Sequence, residues 1–433
     1  MLKYIKYCLI VCLFGCDIPN SKPLKGQTGF VKSVDGQFML DGLPHYFMGA
    51  NYWYGGILSL TVEGKQRVRE ELDFLKANHV TNLRILAAAE GSGPVNGKMT
   101  VEPAYQITKG QFNDSLLAGL DYLLVEMGKR NMKAVLFLSN NWEWSGGFLQ
   151  YLNWANILPD SIMRRTLTWD ENRDWVSKFY SSKDCDEAYR KQVERIVGRT
   201  NSITGKLYKD DPTIFSWELA NEPRPMRPAA ITAYLGWIKN SADFIKGLDT
   251  NHMVTSGCEG RMGVETPEVF ESMHRITSID YATIHIWPKN WGWFKDTSIS
   301  ASLNKVVESS NSYINEHVLI CEKMRKPLVI EEFGMPRDGH VYNTTATVDL
   351  RNQYYASIFD LCAESAKSKG IIGGYNFWAF SGIGRPSGKT EYYTKGDDLL
   401  GDPPQEEQGL NSVFSSDETT WSLIKKFDYA THK

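Results

Sequence analysis

Eight short apolar runs, most of them followed by a longer stretch with apolar positions three and four residues apart, constrain this chain more than any other feature. The runs are HYFMGANYW (45–53), TNLRILA (81–87), KAVLFLSNN (133–141), TIFSWELANE (213–222), HMVTSGCEG (252–260), YATIHIWP (281–288), PLVIEEFG (327–334) and GGYNFWAF (373–380). Between them lie stretches such as EGKQRVREELDFLKANH, FNDSLLAGLDYLLVEMGKRN, YRKQVERIVGRTNSIT, ITAYLGWIKNSADFIKGL, SLNKVVESSNSYINEHVLICEKM and DLRNQYYASIFDLCAESAKSK. Their spacing is that of helices with one apolar face. Continuously apolar strands are covered on both faces, and strands alternating with helices make a parallel sheet. Eight such units predict an α/β fold: a (β/α)₈ TIM barrel, a single domain with long βα loops. An open doubly wound sheet that binds a dinucleotide would carry a glycine-rich phosphate loop after its first strand. None is present, and GSGP after the second run is not that motif.

The N-terminus stands apart from this pattern. MLKYIKYCLIVCLFGC carries Lys3 and Lys6, an apolar run too short to span a bilayer comfortably, and then Leu-Phe-Gly-Cys. That ending resembles a bacterial lipobox, which implies cleavage and lipidation at Cys16. The expected organisation is therefore a signal peptide over 1–15, a flexible tether over 16–28 and the barrel over 29–433. It implies a bacterial cell-envelope location and membrane contact through the lipid anchor alone. Formal net charge is −3, and −5 once Lys3 and Lys6 are gone, with no basic block to attract nucleic acid. Cys185, Cys258, Cys321 and Cys362 remain, and sequence cannot pair them. No Cys/His cluster has zinc spacing, so no metal is expected.

Barrel enzymes work at the C-terminal ends of their strands. Those ends gather Asn51, Tyr52 and Trp53; Arg84; Asn140 and Asn141; Asn221 and Glu222; Glu259; His285 and Trp287; Glu331 and Glu332; and Trp378. Tryptophans near strand ends and loops (Trp53, Trp142, Trp144, Trp154, Trp287, Trp291, Trp293, Trp378) suggest stacking surfaces for sugar rings or other flat ligands. Core packing is the plainer reading for any one of them. Two carboxylates, Glu222 on the fourth strand and one of the Glu331–Glu332 pair on the seventh, face each other across the mouth. Cleaving a glycosidic bond with retention needs a proton donor and a nucleophilic carboxylate about 5–5.5 Å apart. Strict alternation would let only one of Glu331 and Glu332 point inward.

WELANEPRP and VIEEFG resemble the acid/base and nucleophile motifs of glycoside hydrolase family 5, over about residues 49–414. The resemblance implies Glu222 as acid/base, Asn221 on the sugar 2-hydroxyl, and Glu332 as nucleophile with Glu331 turned away. It implies Arg84 bracing Glu332, with His285 beside the reacting sugar and Trp378 beneath it. LSNNWEWSGGFLQYLNWA, IHIWPKNWGW and GDPPQEEQGLNSVF are similar to the endo-β-1,4-mannanase subfamily, in which the position of Arg224 contacts a +2 sugar. Where many members have a tyrosine, this chain has Trp287, whose indole N–H is also a donor.

The implied activity is endo-hydrolysis of β-mannan by double displacement, without cofactor, by a monomer. On this reading Glu332 is held ionised by Arg84 and its charge raises Glu222. An endoglucanase or an exo-acting β-mannosidase of the same clan stays open, the exo reading because the 142–184 insertion could close one end of the cleft. A lipid-anchored glycan-binding protein that has lost catalysis would be expected to lack one of the two carboxylates, and both are present.

Overall fold

The computed structural model describes residues 29–295 and 299–427; Cys16, the signal peptide and the tether lie outside the described residues. All eight apolar runs form strands of one parallel sheet. They are β1 (Phe47–Asn51), β2 (Asn82–Leu86), β3 (Lys133–Phe137), β4 (Ile214–Glu218), β5 (Met253–Thr255), β6 (Ala282–Ile286), β7 (Leu328–Phe333) and β8 (Ile372–Phe377). Pairing runs β5-β4-β3-β2-β1-β8-β7-β6, which bends the sheet into a barrel. The remaining seam, between β5 and β6, has no ladder. Instead Asp280 N–H donates to the Val254 carbonyl (2.8 Å), Thr255 Oγ1 to that of Tyr281 (3.0 Å) and Thr283 Oγ1 to that of Cys258 (2.8 Å).

Outside the βα loops the helices include α1 (Val62–Ala77), α2 (Asp114–Lys129), α3 (Lys183–Val197), α4 (Ile231–Leu248), α5 (Pro267–His274), α6 (Ile299–Met324), α7 (Asp349–Ser368) and α8 (Glu418–Lys426). Side-chain caps from Thr61, Asn113, Ser182 and Thr266 fix the starts of α1, α2, α3 and α5 by accepting an otherwise unpaired backbone N–H. Helix α3 starts and ends earlier than its periodic stretch suggested, and α5 and α8 escaped the sequence reading because they span only two turns. Cys185, Cys258 and Cys321 are buried free thiols, and Cys362 is buried as well.

The two barrel mouths differ chemically. At the N-terminal mouth a small three-stranded antiparallel sheet (Lys32–Val34, Gln37–Leu40, Leu43–Pro44) inserts Phe38 among Phe47, Phe215 and Tyr281, with ring centroids 5.1–6.2 Å apart. The contacts with Phe215 and Tyr281 are edge-to-face, which adds to the burial of the rings themselves, and the cluster forms an apolar plug. Higher along the axis come the Ser216–Tyr281 hydroxyl pair (2.7 Å) and then buried charge. The opposite mouth is therefore where the polar groups collect.

The long connection from β3 to α3, expected as an insertion, is largely helical (Gly147–Trp154, Asp160–Met163, Trp169–Val176). Glu90, just past β2, pins it: the Gly147 N–H (3.1 Å), Tyr151 hydroxyl (3.3 Å) and Ser139 hydroxyl (3.4 Å) all donate to its carboxyl. Among the described residues no ion pair holds this buried group, and burial pushes it up to about 8. The folded chain thus holds a proton that the unfolded chain releases from about pH 4.5 upward, so its contribution to stability declines as pH rises from there to about 8. Glu90→Gln should remove this slope, about 1.4 kcal/mol per pH unit inside the window. Denaturant midpoints of the two proteins, measured from pH 5 to 9, should converge at the acid end and favour the variant at the alkaline end.

Candidate active site

Arg84, in the middle of β2 and fully buried, organises the floor. Its guanidinium pairs with Glu218 through Nε (2.8 Å) and Nη2 (2.5 Å) and with Glu332 through Nη1, and Nε lies 3.6 Å from Glu331. It also donates to the side-chain oxygens of Asn221 (2.7 Å) and Asn51 (3.2 Å), while its face lies 4.7 Å from the Phe137 ring centre. One cation is thus shared by three acids. Glu218 was not among the residues singled out from sequence, although it shares the inward parity of Ser216 on β4.

Glu331 corrects the expectation that it turns away. Ile284 pairs with Ile330 but His285 pairs with Glu332, so Glu331 is the extra residue of a β-bulge. A bulge breaks strict alternation and re-aims the side chains around it. Both acids are therefore buried beside Arg84.

Above this floor sits the pair of carboxylates. Glu222 follows β4 in left-handed backbone (φ 49°), a conformation that costs a side-chain-bearing residue about 1–2 kcal/mol. Its N–H is held by the Gly257 carbonyl (2.9 Å). Gly257 cannot be replaced easily: a Cβ there would lie 2.0 Å from the Ala220 oxygen and 2.3 Å from Glu218 Oε1. His285 Nδ1 is 2.7 Å from Glu222 Oε1 and 3.4 Å from Glu332 Oε2, so this histidine bridges the two carboxylates. Trp142 donates its indole N–H to Glu222 Oε2, and Trp287 donates to Glu332 Oε2 (3.0 Å). The glycine of EEFG has a matching role, since a Cβ on Gly334 would lie 2.6 Å from the Trp287 ring.

Around them is a cleft of about 360 Å³. Trp378 lies on its wall, 3% exposed, with its ring centre 5.7 Å from that of Trp287 at 77°. Arg224 lines the cleft too, clamped by Glu259 (2.8 and 2.7 Å) and lying 4.8 Å over the Trp142 ring. Asn221 gives its amide to Asn140 Oδ1 (3.2 Å). The residues that the family resemblance assigned to catalysis and substrate therefore gather at one site: Glu222, Glu332, Arg84, Asn221, Arg224, His285, Trp287 and Trp378. Of the loop tryptophans, Trp142, Trp144, Trp287, Trp291 and Trp378 line the cleft. Trp53 is instead buried with its N–H on the Gly401 carbonyl (2.8 Å), while Trp154 packs on Tyr151 and Trp293 on Trp291. The GDPPQEEQ loop, whose role sequence left open, brings Glu406 to the wall, where burial pushes its carboxyl up to about 8.

Electrostatics depart from the sequence expectation at one point. Burial pushes Glu332 well above the ordinary carboxylate range, with Arg84 and the Trp287 N–H pulling against it. Glu331 is raised as well, first by burial and then by Glu218. The physical reason is the divided guanidinium: one positive charge cannot compensate three buried acids. If catalysis requires ionised Glu332, activity should rise with pH along a limb lying above the ordinary glutamate range, reporting the coupled set rather than one residue. A profile of kcat/KM against pH checks this, and a limb at or below that range would contradict it.

One atom each of Glu222, His285 and Glu332 lie within 4.8 Å of one another, a spacing that could hold a metal ion. Indole donors already address both carboxylates and Arg84 stands next to them, so a cation would have to displace these bonds and sit beside a guanidinium. The same closeness suits two carboxylates acting on one bond.

Residues 28–433 match the family model described as GH family 5 beta-mannosidase-like. The chain belongs to glycoside hydrolase family 5. Among relatives of this family 5 hydrolase, mannan endo-1,4-beta-mannosidase 1 of Arabidopsis thaliana is 30% identical over 369 residues, 81% of this chain and 82% of that protein. The rice (Oryza sativa subsp. japonica) protein of the same name is 29% identical, covering 86% and 82%. A family 5 mannosidase from Rhizomucor miehei superposes with a TM-score of 0.84 at 30% identity, covering 93% of this chain and 98% of that one. An endo-1,4-beta-mannanase from the same fungus, at 23% identity and TM-score 0.64, shares the fold.

Proposed function

We propose that this family 5 hydrolase is a retaining endo-β-1,4-mannanase acting on mannan, glucomannan or galactomannan. The observation that carries the mechanism is the Glu222–Glu332 pair, with oxygens within 4.8 Å through a shared histidine. That closeness suits direct attack by one carboxylate, whereas inversion needs about 6.5–9.5 Å to seat a water between them. Glu332 attacks the anomeric carbon while Glu222 protonates the departing oxygen; Glu222 then deprotonates the water that releases the sugar. Arg84 and Trp287 hold Glu332 toward the anomeric carbon. Trp378 offers its face to the sugar's C–H surface, and Asn221, oriented by Arg84, offers its amide to a hydroxyl. The substrate class is supported by the names of the plant relatives. A second reading, exo-acting β-mannosidase, is favoured by the likeness to the Rhizomucor mannosidase over nearly its whole length.

Digestion of mannohexaose and cellohexaose, with products resolved by size and anomeric form, tests this. Short manno-oligosaccharides in the β-configuration support the endo reading. Stepwise release of mannose alone would move the assignment to the exo enzyme, and cleavage of only the glucan would overturn the substrate. Lipid anchoring at Cys16 is part of the proposal and rests on the Leu-Phe-Gly-Cys motif. Cys16→Ser should shift the protein from the membrane to the soluble fraction without changing its specific activity.

A further inference from the structure

Trp169 begins the helix Trp169–Val176 of the β3–α3 insertion, and 51% of its surface is exposed, on the same cleft as Glu222 and Glu332. The local structure holds it in place. Thr168 and Glu171 form a reciprocal cap at the helix start, and Arg165 pairs with Glu171. The helix is tied to the β4–α4 loop by Arg227 on Asp170 (3.0 Å) and Asp174 (2.8 Å), and by Arg173 on the Met226 carbonyl (2.8 Å). Its ring stacks on Trp142, with centroids 6.2 Å apart at 28°.

The direction of this aromatic stripe can be read from Glu222. Oxygen Oε1 faces His285 and, through it, Glu332; oxygen Oε2 takes the Trp142 N–H. The acid/base protonates the oxygen of the departing sugar, so groups beyond its Oε2 face the leaving chain, while Glu332 and Trp287 belong to the sugar being transferred. We infer that Trp169 floors a leaving-group subsite outside Trp142, taking the apolar face of a hexopyranose of the departing oligosaccharide. The inference rests on the glycosidase reading of Glu222. It deepens that reading on either endo or exo action, because both act on a chain with sugars on the leaving side. A broad ring fixed on a helix gives contact area at little entropic cost.

The test compares wild type, Trp169→Ala and Trp169→Phe on manno- and cello-oligosaccharides of two to six units and on an aryl β-mannoside. For the longer chains, Trp169→Ala should lower kcat/KM about tenfold or more relative to the aryl glycoside, with most of it regained in Trp169→Phe. Equal losses on all substrates would overturn the subsite and leave Trp169 a packing residue. Calorimetric titration of the hexaoses into Glu332→Gln, with and without Trp169→Ala, reads the subsite without chemistry. If wild type cleaves neither series, the proposed function fails; a weakened titration in the double variant would still uphold the subsite, and an unchanged one would overturn it.

Discussion

Replacing Glu332 by glycine should reduce kcat by about 10⁴-fold or more, because the covalent route disappears rather than being slowed. The stereochemistry of rescue is the sharper readout. With the carboxylate removed, a small anion such as azide can occupy the space between Arg84 and Trp287 and attack the same face of the sugar. Its product would be an α-mannosyl azide, inverted at the anomeric carbon. Glu222→Ala should behave differently on a substrate with a good leaving group: the glycosyl-enzyme still forms, its breakdown is slow, and azide yields the β-product. Anomeric assignment of the two azides by NMR decides the roles. A β-azide from the Glu332 variant would exchange the roles of the two residues, and loss of rescue in both would remove the double-displacement mechanism.

Removing Arg84 should have the largest effect on folding. Arg84→Met leaves Glu218, Glu331 and Glu332 buried without their common cation, and breaking one partner out of a buried ion pair costs about 3–5 kcal/mol. That is a large part of the roughly 5–15 kcal/mol by which domains are stable. A much lower denaturation midpoint, or failure to accumulate as soluble protein, is expected. The triple variant Arg84→Met, Glu218→Gln, Glu331→Gln removes two of the three carboxyls left without a partner and should regain much of the loss, although not the activity. If Arg84→Met alone melts like wild type, the guanidinium does not hold the floor together and the account of it given above is wrong.

The barrel was legible because its strands are continuous apolar runs and the candidate catalytic groups lie toward their ends. Each run became a strand, and the polar residues after the strand ends, Asn221, Glu222 and Trp378 among them, met at one mouth. Alternation, the rule that served elsewhere, failed at Glu331, because a bulge depends on the register between β6 and β7 and leaves no mark on one strand alone. Glu218 was partly legible: it shares the inward parity of Ser216, but it stands outside the Asn-Glu-Pro motif and does not end its run. Trp142 and Trp169 could not be placed, since they lie in an insertion whose short helices carry too few turns for a period to emerge. The low pKa expected of Glu332 failed for a related reason. A sequence shows that an arginine is near, not how many acids divide it.

The Phe38 plug also fixes which way the enzyme looks. Gly29 meets the barrel at the closed mouth, its carbonyl taking Lys133 Nζ (3.2 Å), and Phe30 packs against His252 at 4.9 Å. Both partners stand at the starts of their strands, so the polypeptide arrives on the pole opposite the cleft. Anything joined to the chain before Gly29 therefore meets the described fold at the closed mouth and not at the cleft.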